Sequence, residues 1–173
     1  MPNPTMKLIA SVTVGAGGAA SIDFTSIPGT YTDLCLKYSL RGNGGATIRS
    51  VQARFNSNSS SVYSAKIIDG NGSTASSAGY ANDVIFYWAG WANDTNSTAN
   101  TFSNCEMYIP NYAGSANKSF SLDAVAENNA TTANTRLEAG LWGSSTAITS
   151  INLIGETAFL QYSTAYLYGI SNS

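Results

Sequence analysis

The chain has 173 residues, a net charge of −2 and no histidine. Charged residues make up 10% of it, where about 25% is usual, so its polar surface must come from Ser, Thr, Asn and Gly. The lack of a basic cluster excludes a nucleic-acid footprint, and the lack of histidine removes the commonest general base, the Ser-His-Asp and Cys-His arrangements and most zinc sites.

Met1-Pro2-Asn3-Pro4-Thr5 has neither a positive n-region nor an apolar h-region, so it does not read as a secretory signal. Two prolines favour an extended arm over residues 1–6, followed by one β-domain over 7–173. From there the pattern has period two rather than the helical period. Lys7–Val14 and Ala20–Phe24 are the first strand candidates, separated by Gly15-Ala16-Gly17-Gly18. In "DLCLKYSLR", Leu34, Leu36, Tyr38 and Leu40 share one face and Cys35, Lys37, Ser39 and Arg41 the other, as in a half-buried antiparallel strand. Ile48–Asn56 and Val62–Asp69 follow. Ser73–Asp83, rich in Ala, Ser and Gly, reads as a surface loop.

Val84–Trp91 reads as a strand with Phe86 and Trp88 on one face and Tyr87 on the other. "ANDTNSTANT", Ala92–Thr101, reads as a second long loop. Asn104–Ile109 is a strand that Pro110 ends, because proline donates no ladder hydrogen bond. Asn111, Tyr112 and Gly114 then turn the chain into "KSFSLDAVAE", where Phe120, Leu122 and Ala124 oppose Ser119, Ser121 and Asp123. "IPNYAGS" is thus expected to be a bend carrying the chain from sheet to sheet, with Tyr112 exposed toward a neighbour. Thr135–Trp142, Ala147–Ile154 and "AYLYGI" complete the set; the last places Tyr166, Tyr168 and Ile170 on one side. About ten short strands with Gly/Asn turns between them predict an all-β, antiparallel β-sandwich, and the long connections suit a jelly roll. Leu34, Leu36, Phe120, Leu122 and Ile151 are the expected core. No run of about 18 apolar residues marks a membrane span.

Few residues carry chemistry. Glu127 and Glu138 are brought near each other by the hairpin through "NNATTANT", but a solvated pair explains them better than a glycosidase acid pair. "DGNGS", Asp69–Ser73, starts like a calcium loop, yet Thr74 stands where Gly is needed and Tyr80 where Glu is needed, which leaves a hairpin turn. Cys35 and Cys105 are expected as buried free thiols. Asn-X-Ser/Thr triplets at Asn58, Asn71, Asn93, Asn96, Asn117 and Asn129 reflect composition. The aromatic run "FYWAGW" is read first as core plus protein interface and second as a sugar-stacking platform. Tyr87, Trp88, Trp91 and Tyr112 are therefore the interface or glycan-facing candidates, with no catalytic residue, metal or cofactor.

Several stretches, in order, resemble a group of small structural proteins of tailed bacteriophages. They are "IASVTVGAGGAASIDFTSIPGTYTDLCLKYSLRG", "RFNSNSSSVYS", "NTFSNCEMYIPNYAGSANKSFSLDAVAENNAT", "AGLWGSSTAITSINL" and "STAYLYGI". The resemblance runs from Ile9 to Ile170 and brings no catalytic motif. It implies a virion component assembled in the host cytoplasm, a jelly roll that decorates or cements the capsid by binding the major capsid protein. The alternative it allows is a tail or fibre module that binds host surface glycan. The charge-free segments Ala147–Ile154 and Ala165–Ile170 add an expectation of a homo-oligomer, a trimer by preference, if they lie at sheet edges.

Overall fold

The computed structural model describes residues 5–129 and 132–171. Met1–Pro4 of the expected arm lie outside the described residues, and Met6 already opens the first strand. In chain order the strands are β1 (Met6–Thr13), β2 (Ala19–Phe24), β3 (Asp33–Ser39), β4 (Ile48–Phe55), β5 (Tyr63–Gly70), β6 (Ala75–Asp83), β7 (Trp91–Asn93), β8 (Asn104–Ile109), β9 (Lys118–Ala126), β10 (Asn134–Trp142), β11 (Ile151–Phe159) and β12 (Thr164–Ile170). All named pairings are antiparallel.

One sheet has eight strands in the order β1-β12-β3-β8-β9-β10-β5-β6, and the other has four, β2-β11-β4-β7. With β5–β6 and β9–β10 set aside, the chain alternates between sheets except from β4 to β7, both in the small sheet, and leaves the orders β1-β12-β3-β8 and β2-β11-β4-β7. That is jelly-roll connectivity. The β5–β6 and β9–β10 hairpins are inserted after β4 and β8, and both widen the larger sheet on the same side. These insertions widen the outer face of the large sheet, the face turned away from the small sheet.

Alternation places the core as expected. Leu34, Leu36, Phe120, Leu122 and Ile151 are all buried between the sheets. Phe55 sits at the centre of an aromatic group, edge-on to Phe120 at 5.3 Å and to Trp142 at 5.7 Å. Fully burying side chains of this size contributes roughly 1.5–3 kcal/mol each.

The structure corrects several expectations. Ser73–Asp83 is not a loop: its greater part is β6, an edge strand almost wholly exposed. It pairs with β5 through its backbone and buries no side-chain face, so no apolar alternation marks it. Val84–Gly90 is not a strand, and Trp91 opens β7. The segment carries the chain from one sheet to the other, meeting β4 through a bridge between Phe86 and Ala53 and through the Val51 N–H, which donates to the Gly90 carbonyl. Phe86 is buried between the sheets and Trp88 half-buried, whereas Tyr87 is exposed.

The strand expected at Ala147–Ile154 begins only at Ile151. The residues before it are held by Asn56, whose Nδ2 donates to the Ala147 carbonyl at 2.8 Å and whose Oδ1 accepts from the N–H of Thr149 and Ser150. "IPNYAGS" does not join two sheets. It is the hairpin connection between β8 and β9, neighbours in the large sheet. Tyr112 in that turn is fully buried, and its hydroxyl donates to the Pro28 carbonyl.

The strand parts of the two charge-free segments lie in β11 and β12, which are central and flanked on both sides. The edge argument for an oligomer therefore fails at these strands. The real edges carry their own protection: a register shift between Leu8 and Ala10 on β1, exposed Asp23 on β2, three residues only in β7, and a register shift where β6 meets β5.

Candidate functional site

The β10 sequence "NTRLEAGLW" alternates strictly between inside and outside. Its inner face carries Arg136, Glu138, Gly140 and Trp142. Two of these are charged types, yet Arg136 and Glu138 are 4% and 2% exposed. A buried guanidinium requires partners. Arg136 donates from Nε to Asp69 Oδ1 at 2.7 Å and from Nη2 to Asp69 Oδ2 at 2.9 Å, a fork-to-fork pair across β10 and β5. Its planar group also lies 4.0 Å from the centroid of the Trp91 ring and 5.5 Å from that of Trp88. Glu138 has no hydrogen-bond partner at either oxygen. Burial pushes its carboxyl up to about 9, against the pull of Arg136 and with a smaller push from Asp69. It is a neutral acid at pH 7.

The crossing segment that supplies the indoles is locked by Gly90. This residue has φ +81°, and a Cβ there would lie 2.8 Å from Cys105 Sγ. Tyr38 fixes the same turn by donating its hydroxyl to the Ala89 carbonyl at 2.8 Å. Trp88 stands edge-on to Tyr80 at 5.0 Å, and Tyr80 accepts the N–H of Tyr87.

Of the four aromatics singled out in the sequence, only Tyr87 is exposed. Trp88 and Trp91 are half-buried and gathered around Arg136, and Tyr112 is far from them in the fold's interior. No open indole platform exists among the described residues. Instead Trp91 forms one wall of a polar cleft of about 160 Å³, whose other walls are Asp69, Asn71, Thr74, Ser76 and Asn134. The Asn71 turn shapes it. Asn71 Oδ1 accepts from the N–H and hydroxyl of both Ser73 and Thr74, and Gly72 has φ +86°. "DGNGS" is thus a hairpin turn, with its Asp paired to Arg136 rather than free for a cation.

Glu127 and Glu138 do not form a facing pair. Glu127 is exposed and accepts the N–H groups of Asn128 and Asn129 through Oε1, whereas Glu138 points into the sandwich. Cys35 and Cys105 lie on opposite faces of β3 and β8, since Cys105 is across from Tyr38 on the core side and Cys35 is across from Tyr108 on the outer side. Burial pushes the two thiols up, to about 11 and about 12, so neither supplies a thiolate nucleophile at neutral pH.

A second surface lies on the outer face of the inserted strands. Leu137 and Ile68 are direct cross-strand neighbours there, each 61% exposed, with Val125 diagonal to Leu137 and Leu141 farther along the same face. A shallow apolar depression of about 360 Å³ runs over this face between Lys66, Ile68, Ser121 and Leu137. The sequence pattern already separated these faces, but it does not say which apolar residues lack a covering layer. The Asp69–Arg136 pair was equally open to detection, because strict alternation puts Arg136 and Glu138 on the Trp142 side.

No family model and no curated protein matches the chain. Among solved structures it is similar to galectin LEC-6 of Caenorhabditis elegans, with a TM-score of 0.42 and 11% identity over 91% of this chain and 94% of that one. It is also similar to the CBM2 module of the evolved Dit of Lactobacillus casei BL23 phage J-1, with a TM-score of 0.20 and 12% identity over 88% of this chain and 70% of that one.

Proposed function

We propose that this protein is a non-catalytic structural component of a bacteriophage virion, a decoration or cement protein that binds the major capsid protein on the outer shell. The observation that carries the reading is the apolar outer face around Leu137 and Ile68. Exposed large apolar side chains grouped on one sheet face mark protein contact surfaces. Lys66 and Asp123 flank this apolar group with opposite signs, so they add no net charge and binding through it depends weakly on salt. The phage assignment itself rests on the sequence resemblance. Self-association into a homo-oligomer, with a trimer expected, would use the same face, now that β11 and β12 are central.

The test is retention on the particle. Leu137→Lys and Ile68→Lys place charge on exposed positions and leave the core untouched. Each should lower the amount of protein remaining on salt-washed virions at least about tenfold, the equivalent of 1.4 kcal/mol, with an unchanged far-UV spectrum. Full retention of both variants would remove this face from the reading. Absence of the wild-type protein from virions would end the reading altogether.

A second reading, a tail or fibre module that binds host surface glycan, is favoured by a different observation: the polar cleft beside Trp91.

A further inference from the structure

We propose that the cleft between the β5–β6 turn, Trp91 and the start of β10 is a binding site for a neutral saccharide, recognised through Asp69, Asn134 and Ser76. The inference rests on the second of the two readings above and names the site and ligand class within it. Three observations carry it.

The first is the choice of groups. The cleft walls are a carboxylate, two amides, two hydroxyls and an indole, which is the donor and acceptor set that matches ring hydroxyls. No aliphatic side chain lines it, so a lipid or apolar peptide has nothing to meet.

The second is the state of Asp69. The fork from Arg136 holds the carboxylate rigid and takes one lone pair from each oxygen. An ionised carboxylate has about four acceptor positions, so two remain for a ligand. The side chain is 18% exposed, enough to be reached from the cleft. Behind it, Arg136 Nη1 and Trp91 Nε1 are buried out of a ligand's reach, so contacts in the cleft come from Asp69 and from the amide and hydroxyl side chains of its walls.

The third is charge. Arg136 and Asp69 cancel each other, and no other cation lines the cleft. A phosphate, sulfate or sialic acid carboxylate would find no free positive charge there. A neutral ligand meets no such penalty. Arg136 covers one face of the Trp91 ring at 4.0 Å, so recognition works through polar edges rather than through a stacked sugar on that face.

Asn71 and Asn134 also line a neighbouring cleft of about 170 Å³, with Gly70, Gly72, Val125 and Glu127. The two clefts share these asparagines, so a second sugar unit can follow the first. An oligosaccharide therefore fits better than a single ring.

The test uses the intact protein and its three tryptophans as reporters. Neutral hexose and N-acetylhexosamine oligosaccharides are titrated in parallel with sialylated and sulfated ones, and the indole N–H resonances are followed. The Trp91 signal should move with the neutral set, and that of Trp142, buried at the other end of β10, should not. Asn134→Ala should weaken binding by about tenfold, the effect of one lost hydrogen bond. Its backbone pairing with Ala126 does not depend on the side chain, so the variant keeps the fold. Binding that ignores Asn134→Ala and leaves Trp91 unmoved, or that prefers the anionic set, overturns the site but leaves a glycan-binding module standing. No binding to any glycan overturns both.

Discussion

Glu138 and Asp94 are both carboxylates inside the protein, and their surroundings push them in opposite directions. Glu138 has no partner, so burial raises its pKa, to about 9. Asp94 has a side chain with 0% exposure. Burial alone would raise it too, but the N–H groups of Thr95, Ala46 and Gly44 and the guanidinium of Arg49 outweigh that and hold it below the usual carboxylate range. The signs follow. Between about 4.5 and about 9 the folded protein keeps a proton on Glu138 that the unfolded chain releases, so stability falls as pH rises through that window. Asp94 contributes stability above its unfolded pKa, and that contribution is lost as pH falls through its depressed folded value. Urea midpoints measured across this range should decline toward alkaline pH in the wild type. Glu138→Gln, which keeps the shape and cannot ionise, should flatten the decline and raise stability by a few kcal/mol at its alkaline end; equal slopes in both proteins would refute the assignment. Neither behaviour is legible in the sequence. Asp94 lies within "ANDTNSTANT", a stretch whose composition says only that it is polar, and it takes the Gly44 turn, distant in the chain, to make it a buried anchor.

At the scale of strands, legibility depends on whether an element buries one face. Strands β3 and β9 do, and "DLCLKYSLR" and "KSFSLDAVAE" display it. Strand β6 buries neither face, so nothing in "ASSAGYAND" distinguishes it from a loop. The run "VIFYWAGW" is the opposite case: its apolar density belongs to a crossing that packs between sheets, where density is needed and periodicity is not. The candidate cleft stayed hidden for the same reason, since it lies where β6, a crossing segment and the start of β10 converge. Strand β10 also contains Gly140, whose missing side chain matters more than its backbone. A Cβ there would lie 2.3 Å from Phe120 Cε2 and 2.8 Å from Phe86 Cε2. The two rings already stand edge-on at 4.7 Å and have no room to withdraw. Gly140→Ala should cost about 1–3 kcal/mol from overpacking, read as a lower urea midpoint. A stabilised variant would mean that the rings can move apart.

For the whole molecule, passage of the chain between two sheets makes most strand pairing non-local, with β5–β6, β8–β9 and β9–β10 the hairpin exceptions. Strand β1 pairs with β12, so the first strand waits for the last. Such topologies fold in about milliseconds to seconds rather than microseconds. Refolding on dilution from urea should fall in that range, and a microsecond phase carrying the full amplitude would contradict the connectivity. The jelly-roll class was foreseeable from alternation and turn spacing. The two inserted hairpins were not, because a strand's neighbours in space leave no mark on its own composition. The same β1–β12 pairing brings Thr5 and Ser171 together, with the Ser171 N–H donating to the Thr5 carbonyl at 2.9 Å. Strand β6 lies at the opposite edge of the eight-stranded sheet. At about 4.8 Å per step, the two edges are roughly 30 Å apart. A fluorophore or surface tether attached at either end therefore leaves the saccharide cleft turned away from the support, and a single immobilised preparation can be offered sugars without the handle obstructing them.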